Sequence, residues 1–349
     1  MNKAEFLSAL GEALSPLREQ EKQDALSYYD EWIDDSMQDR SCGEEEAVAA
    51  LASPKDIAAG ILEGREKESR VPPVQAGESG GLRTLKARGD DVRHILIRTR
   101  NCGVTIRPCE ANEVTLRYNE DEYQSYDCTL EDGTLRLELR PQTRFFFGIN
   151  LFFSRQYSIE LCLPRDCAAS LDAQSSNAAV EMEQILLWGE LRLKTSNARI
   201  SARMLEARHI DLKTSNASLR LERLKTDGIM TLRTSNGRIE ARGLSSRGGI
   251  SLETSNGRIE AEQIESAASI RLESSNGSLR VSDLAAESIS LKTSNSSISG
   301  TLPGRAEDYS VLSATSNGKN SLKDHAYAGP RKLSAHTSNA AIKLEFEEQ

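Results

Sequence analysis

Glu253 and Glu273 stand twenty residues apart in matching settings, each preceded by Leu and followed two residues later by Ser-Asn. Two carboxylates brought within about 5 Å could share acid and base work on a glycosidic bond, the chemistry of polysaccharide-cleaving β-helices. The same place in the adjoining periods holds Arg233 and Lys292, however, which makes the pair part of a surface charge column. Asp211, Asp227 and Asp283 fall at unrelated points of their periods, so no second acid converges on them. His94, His209, His325 and His336 share no repeat position, and Cys162 with Cys167 lacks the second ligand pair of a zinc site. No nucleophile is paired with a base, and no basic stripe suits nucleic acid. The sequence therefore predicts no catalytic residue, no metal, no cofactor and no nucleic-acid partner.

What does repeat is a corner. A Ser-Asn pair recurs with its amide at Asn177, Asn197, Asn216, Asn236, Asn256, Asn276, Asn295, Asn317 and Asn339, in steps of 19 to 22 residues. That regularity is a structural period. Ile250, Leu252 and Thr254 alternate with polar residues, and Ile259 and Ala261 resume the alternation on the opposite parity. The slip places a bend at Ser255-Asn256-Gly257, where Asn and Gly tolerate left-handed backbone. A third apolar series follows at Leu205, Leu224, Leu244, Ile264 and Leu284. Short strands with no helix between them predict a mainly β fold, a single-chain, right-handed parallel β-solenoid of about 20 residues per coil. Coils stacked about 4.8 Å apart would bury a continuous aliphatic core. The nine asparagines would then form a structural ladder, each amide offering donors and an acceptor along the axis. Asn216-Ala-Ser218 and Asn295-Ser-Ser297 match the glycosylation pattern, but the corner accounts for them.

Charge divides the chain in two. Residues 1–70 hold 8 basic and 17 acidic side chains, a balance of −9 that equals the formal net charge of all 349 residues. No apolar run reaches the ~20 residues of a membrane span, and no signal-peptide pattern opens the chain. The expectation is a cytoplasmic protein, with the inner face of the membrane as its peripheral alternative, and six reduced Cys.

Residues 1–64 read as an acidic helical bundle. Asn2 with Glu5 and Ser41 with Glu44 have capping-box spacing, and Pro16 and Pro54 follow Ser at helix starts. Four helices follow, with Phe6, Leu7, Leu10, Leu14, Tyr29, Trp32, Ile33, Val48 and Ile57 facing inward. Asp30, Glu31, Asp34 and Asp35 form the outward face, a candidate docking surface for a basic protein partner. Residues 65–81 are a flexible linker. Residues 82–170 are irregular first coils that cap the array, and 171–349 are the regular coils with their own end cap. Between two early strands lies an apolar tip of Phe145, Phe146, Phe147, Ile149, Leu151, Phe152 and Phe153, flanked by Arg144 and Arg155. It can fold over the solenoid end or offer a contact to a partner or an anionic membrane surface.

The stretch with Lys3-Ala-Glu-Phe6-Leu7, Tyr28-Tyr29-Asp30-Glu31 and Leu51-Ala-Ser53-Pro54-Lys55-Asp56-Ile57-Ala58 resembles the HAAS domain, a helical module of bacterial signalling and membrane-associated proteins. Val104-Thr-Ile106-Arg107-Pro108, Leu161-Cys-Leu163-Pro164 and the iterated Thr-Ser-Asn-Gly corner resemble the bacterial putative-adhesin β-repeat family over about 82–346. Together these resemblances imply a non-enzymatic interaction or scaffold protein of envelope-associated signalling or adhesion. Its partners would be a protein for the helical domain and a membrane surface or cell-surface glycan. A self-assembling solenoid scaffold and a glycan-cleaving β-helix enzyme are the alternatives.

Overall fold

A computed structural model describes residues 1–59 apart from 18, 20–21, 24, 28, 31–32, 34–42 and 50, then 81–140 apart from 110 and 121–123, then 157–322 and 328–347. The chain forms two compact units, one helical and one of β-strands that begin at Gly81.

In the helical unit, α1 (Lys3–Ala13) opens with the predicted capping box: the Glu5 amide donates to Asn2 Oδ1 at 2.8 Å, and the Asn2 amide donates to Glu5 Oε2 at 3.0 Å. Residues 22–23, 25–27 and 29–30 are helical too, and a further helix, α2 (Glu44–Ala49), is tied to α1 by the Lys3 amide, which donates to Glu44 Oε1 at 2.7 Å. Residues 54–59 are also helical, started by Ser53 Oγ accepting from the Asp56 amide at 3.2 Å. Phe6, Leu10, Leu14, Tyr29, Ile33, Val48 and Ile57 are buried together, with the Phe6 and Tyr29 rings edge to face at 5.9 Å. Leu7 is only partly buried, and Trp32 lies outside the described residues.

The β unit is mainly parallel and solenoid-like, as the period predicts. Each regular coil lays one strand in each of two sheets, as Gly249–Thr254 and Ile259–Ser266 do, before the chain returns at Ser269–Ser274. Register equals period. Ile250 sits opposite Met230 and Ile270, Leu252 opposite Leu232 and Leu272, and Ile259 opposite Ile239 and Leu279. Like therefore stacks on like, and the inward residues of both sheets merge into one continuous core. No coil can bury its apolar face alone, so stability comes from the interfaces between neighbours.

The backbone turns left-handed at a different place from the one the sequence suggests. Positive φ falls not on the Ser-Asn-Gly corner but on Gln184 (58°), Met204 (53°), Arg223 (55°), Gly243 (65°), Gln263 (55°) and Asp283 (56°). Each lies just before a member of the third apolar series, Ile185, Leu205, Leu224, Leu244, Ile264 and Leu284, all buried. The kink resets side-chain parity within one strand, so that Ala261 and Ile264, three apart, both face inward. Left-handed backbone costs a non-glycine residue about 1–2 kcal/mol, and five of these six sites carry that cost. Gly257 serves a different purpose: a Cβ there would lie 1.7 Å from the Gly237 carbonyl oxygen of the coil below.

Spatial order departs from chain order at both ends. The coil His94–Cys109 lies between 134–164 and 170–187: Ile95 pairs with Leu135 on one side and Leu171 on the other, and Val104 with Ile159 and Val180. At the far end 331–347 is inserted between 288–303 and 309–322, with Leu333 opposite both Ile289 and Val311. Antiparallel strands finish the N-terminal edges, Gly81–Arg88 on Glu113–Glu120 and Tyr126–Glu131 on Thr134–Leu139. Beneath that end sits a small polar network in which Tyr126 bonds Thr99 Oγ1 at 2.9 Å. Burial pushes the neighbouring Cys102 thiol up to about 11, against hydrogen bonds from Tyr126, Gln124 and Thr99 that act the other way.

Two consequences can be measured by denaturation and labelling. Gln263→Gly should stabilise the β unit by about 1 kcal/mol by relieving left-handed strain, whereas Gly257→Ala should cost about 1–3 kcal/mol. Cys102, buried and protonated, should resist iodoacetamide at pH 8 in the folded chain and react on unfolding, which peptide mapping would detect.

Candidate functional site

The repeated corner contains two hydrogen-bonded columns. On the outside, each asparagine Nδ2 donates to the Oδ1 of its neighbour: Asn197 to Asn177 at 2.8 Å, Asn216 to Asn197 at 2.6 Å, Asn236 to Asn216 at 2.7 Å, Asn256 to Asn236 at 2.6 Å, Asn276 to Asn256 at 2.7 Å and Asn295 to Asn276 at 2.7 Å. The inserted last coil changes the order from there, since Asn339 donates to Asn295 at 2.7 Å and Asn317 donates to Asn339 at 2.9 Å. At the other end Asn177 donates to Asn101 at 2.8 Å, adding a rung absent from the sequence-derived set. The Asn101-Cys102-Gly103 corner was its sequence signal, obscured because Asn101 stands 76 positions before Asn177.

Inside the corner runs a column of buried hydroxyls that alternation had assigned simply to the core. Thr234 Oγ1 donates to the Ala217 carbonyl at 3.0 Å and accepts from the Gly237 amide at 3.1 Å. Thr254 and Ser274 repeat that exchange, Thr214, Thr293 and Thr337 likewise donate to carbonyls of an adjacent coil, and Thr195 exchanges both bonds with Ala198 of its own corner. A buried hydroxyl without partners would be costly, so these residues fix the corner as well as fill it.

The outer faces carry charge that is neutralised locally. Glu253 and Glu273 are indeed paired across coils, and each is engaged by a cation: Arg233 Nε lies 3.0 Å from Glu253, Lys292 Nζ lies 3.1 Å from Glu273, and Arg271 also binds Glu273. The Arg271 hydrogen bond, with help from Lys292, holds the Glu273 carboxyl below its ordinary range. Glu273 is thereby held ionised, the opposite of what a general acid needs. On the other sheet Glu240 stacks on Glu260, and Arg238 and Arg258 approach them at 2.9 and 3.2 Å. Exposed pairs of this kind contribute only about 0–1 kcal/mol each. Among the described residues no group of three or more His, Cys, Asp or Glu could hold a metal ion.

The predicted contact surfaces are only partly described. Asp30 is half-exposed and lies 2.8 Å from Lys3 Nζ. Glu31, Asp34 and Asp35 lie outside the described residues, as do Phe145, Phe146, Phe147, Ile149, Leu151, Phe152 and Phe153. Sequence reasoning also passed over Trp188, which is 66 % exposed at the start of the corner opposite the asparagines. Its signal is that it interrupts a column otherwise made of Ala168, Arg208, Asp227, Arg247, Ala267 and Glu287.

The family model described as Toastrack DUF4097 matches residues 92–344, the extent of the stacked array. The chain belongs to the Toastrack DUF4097 family. The HAAS family model matches residues 5–60 of this Toastrack protein, the helical unit. Solved structures to which the chain is similar include a putative cell adhesion protein from Clostridium sporogenes (8% identity, 77% of this chain, 100% of that one, TM-score 0.25). Others are putative adhesins from Bacteroides fragilis (11%, 78% and 100%, TM-score 0.36) and Parabacteroides merdae (16%, 77% and 96%, TM-score 0.25). No curated protein matches the Toastrack chain. No helix among the described residues is long and apolar enough to cross a membrane.

Asn256→Ala removes two rungs of the ladder and should cost the β unit about 2 kcal/mol, against about 1 kcal/mol for Asn317→Ala, which removes one. Because the Glu273 carboxyl is held low, its contribution is present above the unfolded value and lost as pH falls through the folded one. Glu273→Gln should therefore make the acid limb of a stability-against-pH curve shallower.

Proposed function

We propose that this chain is a non-enzymatic interaction protein of the bacterial envelope, in which the helical module docks a protein partner and the solenoid serves as a stiff adhesin-like contact surface. The observation that carries this reading is the union of a HAAS-type helical unit with a Toastrack array whose surface charges are paired coil by coil. An array so neutralised neither attracts polyanions nor presents a poised acid and base, which favours contact over turnover. The acidic excess of the first 70 residues gives the docking face its sign and selects a basic partner. The reading places the protein on the cytoplasmic side, at the inner face of the membrane, with the Phe145–Phe153 tip as its lipid contact.

End-to-end assembly finds less support. At the C-terminal end the outer edge of Ile342–Glu347 is occupied, since the Ile342 amide donates to the Lys319 carbonyl at 2.8 Å and the Leu344 amide to Ser321 Oγ at 3.0 Å.

The test is affinity capture from a bacterial lysate with the full chain and with a D30N/E31Q/D34N/D35N variant. The variant should lose the captured protein by about tenfold, and capture by the unaltered chain should weaken as salt rises. Equal capture by both would remove the docking face. Fractionation of a chain lacking Phe145–Phe153 should show loss from the membrane pellet, and retention there would remove the lipid contact.

A further inference from the structure

The stacking rule breaks at one place in the N-terminal coils. Strand Gly103–Cys109 pairs with Val180–Leu187 only through Val104, Thr105 and Ile106. Past the left-handed kink at Gln184, the end of that longer strand takes a new partner: Leu186 pairs with Asp166 and Leu187 with Cys167. Cys109 meanwhile stays with Pro164. The two paths diverge and leave a cleft of about 620 Å³ whose lining includes Asp90, Asn112, Pro164, Arg165, Asp166 and Trp188. Its capacity is that of a small-molecule site.

Trp188 is held as a plate. Its indole N–H donates to the Asp166 carboxylate, and its backbone amide donates to the Cys167 carbonyl at 3.0 Å. The polar edge of the ring is thereby occupied while the side chain remains 66 % exposed. The opposite wall is also built. Asn112 Nδ2 donates to Asp90 Oδ2 at 3.2 Å, and the Gly89 amide donates to the Asn112 carbonyl at 3.0 Å. A Cβ at Gly89 would lie 2.0 Å from Asn112 Oδ1, so glycine is what lets that amide settle there.

We propose that this cleft is a binding site for a neutral sugar, with Trp188 stacking on one pyranose face and Asp90, Asn112, Arg165 and Asp166 bonding its hydroxyls. A pyranose has a C–H face suited to an aromatic ring and an equatorial belt of groups that both donate and accept. Each carboxylate has about four lone-pair positions, so Asp166 and Asp90 retain acceptor capacity beyond the bonds they already make. Arg165 supplies donors. A wholly apolar ligand would strand these polar groups without water, and with Arg88 3.6 Å from Asp90 and Arg165 in the lining beside Asp166 the local charges balance, which suits a neutral ligand. The inference rests on the reading of the β unit as a contact surface, but is independent of the helical docking face.

Calorimetry with the full chain decides it. The probes are tetramers of glucose, galactose, mannose and N-acetylglucosamine at up to about 10 mM, a range suited to the weak affinity of one small ligand. At least one should bind saturably with Kd near about 1 mM or tighter, and Asp166→Asn should weaken it about tenfold. Trp188→Ala should abolish binding with the melting temperature and the capture of the helical module's partner unchanged. Absence of saturable binding by every probe, or binding by Trp188→Ala at full strength, would overturn the proposal. Equal partner capture by the unaltered chain and the D30N/E31Q/D34N/D35N variant, with sugar binding intact, would instead count against the docking face alone.

Discussion

Parallel pairing in register is the constraint on which the rest depends. Once backbone groups of one coil bond those of the next, every side chain must sit on its counterpart about 4.8 Å away. Some chemistries gain from that proximity and others lose. Ile and Leu gain, because stacked aliphatic columns exclude water along the whole axis. Asparagine gains, because an amide is both donor and acceptor and an unbroken file satisfies both functions. Carboxylates lose, and the array answers with a cation beside each repeated acid, as Arg238 and Arg258 do for Glu240 and Glu260.

The same constraint explains which parts of the molecule could be read from its sequence. The core, the coil length and the nine corner amides were legible because identical demands on successive coils leave identical residues in the chain. The kink was not. Its six residues, Gln184, Met204, Arg223, Gly243, Gln263 and Asp283, share a backbone conformation and almost no chemistry, and only Gly243 belongs to the type that conformation usually selects. The apolar residue that follows each of them was visible, but the reason for its parity was not. Thr234 and its equivalents were placed inward correctly, but the bonds of their hydroxyls were hidden, since a threonine methyl and a threonine hydroxyl look alike in an alternating pattern until the neighbouring carbonyl is located.

The candidate surfaces were less legible than the scaffold. A site formed where register fails has no repeated signature, and the cleft beside Trp188 is assembled from Asp90, Asn112 and Asp166, segments whose proximity follows from insertion of one coil between two others. Asn101 escaped the counted ladder for that same topological reason. Charge was more informative, because the acidic excess of the first 70 residues stands out without any knowledge of the fold.

The inserted coils also bear on how such a chain can be made. A solenoid that winds in sequence order can lengthen as it leaves the ribosome, each new layer settling on the last. Here the layer Arg331–Glu347 belongs beneath residues 309–322, which are synthesised before it. The earlier segment must therefore wait unseated, or be lifted away, until residues 331–347 have been made. Closure of the far end thus waits on a later-made layer, and a chain without that layer would keep an open, adhesive edge.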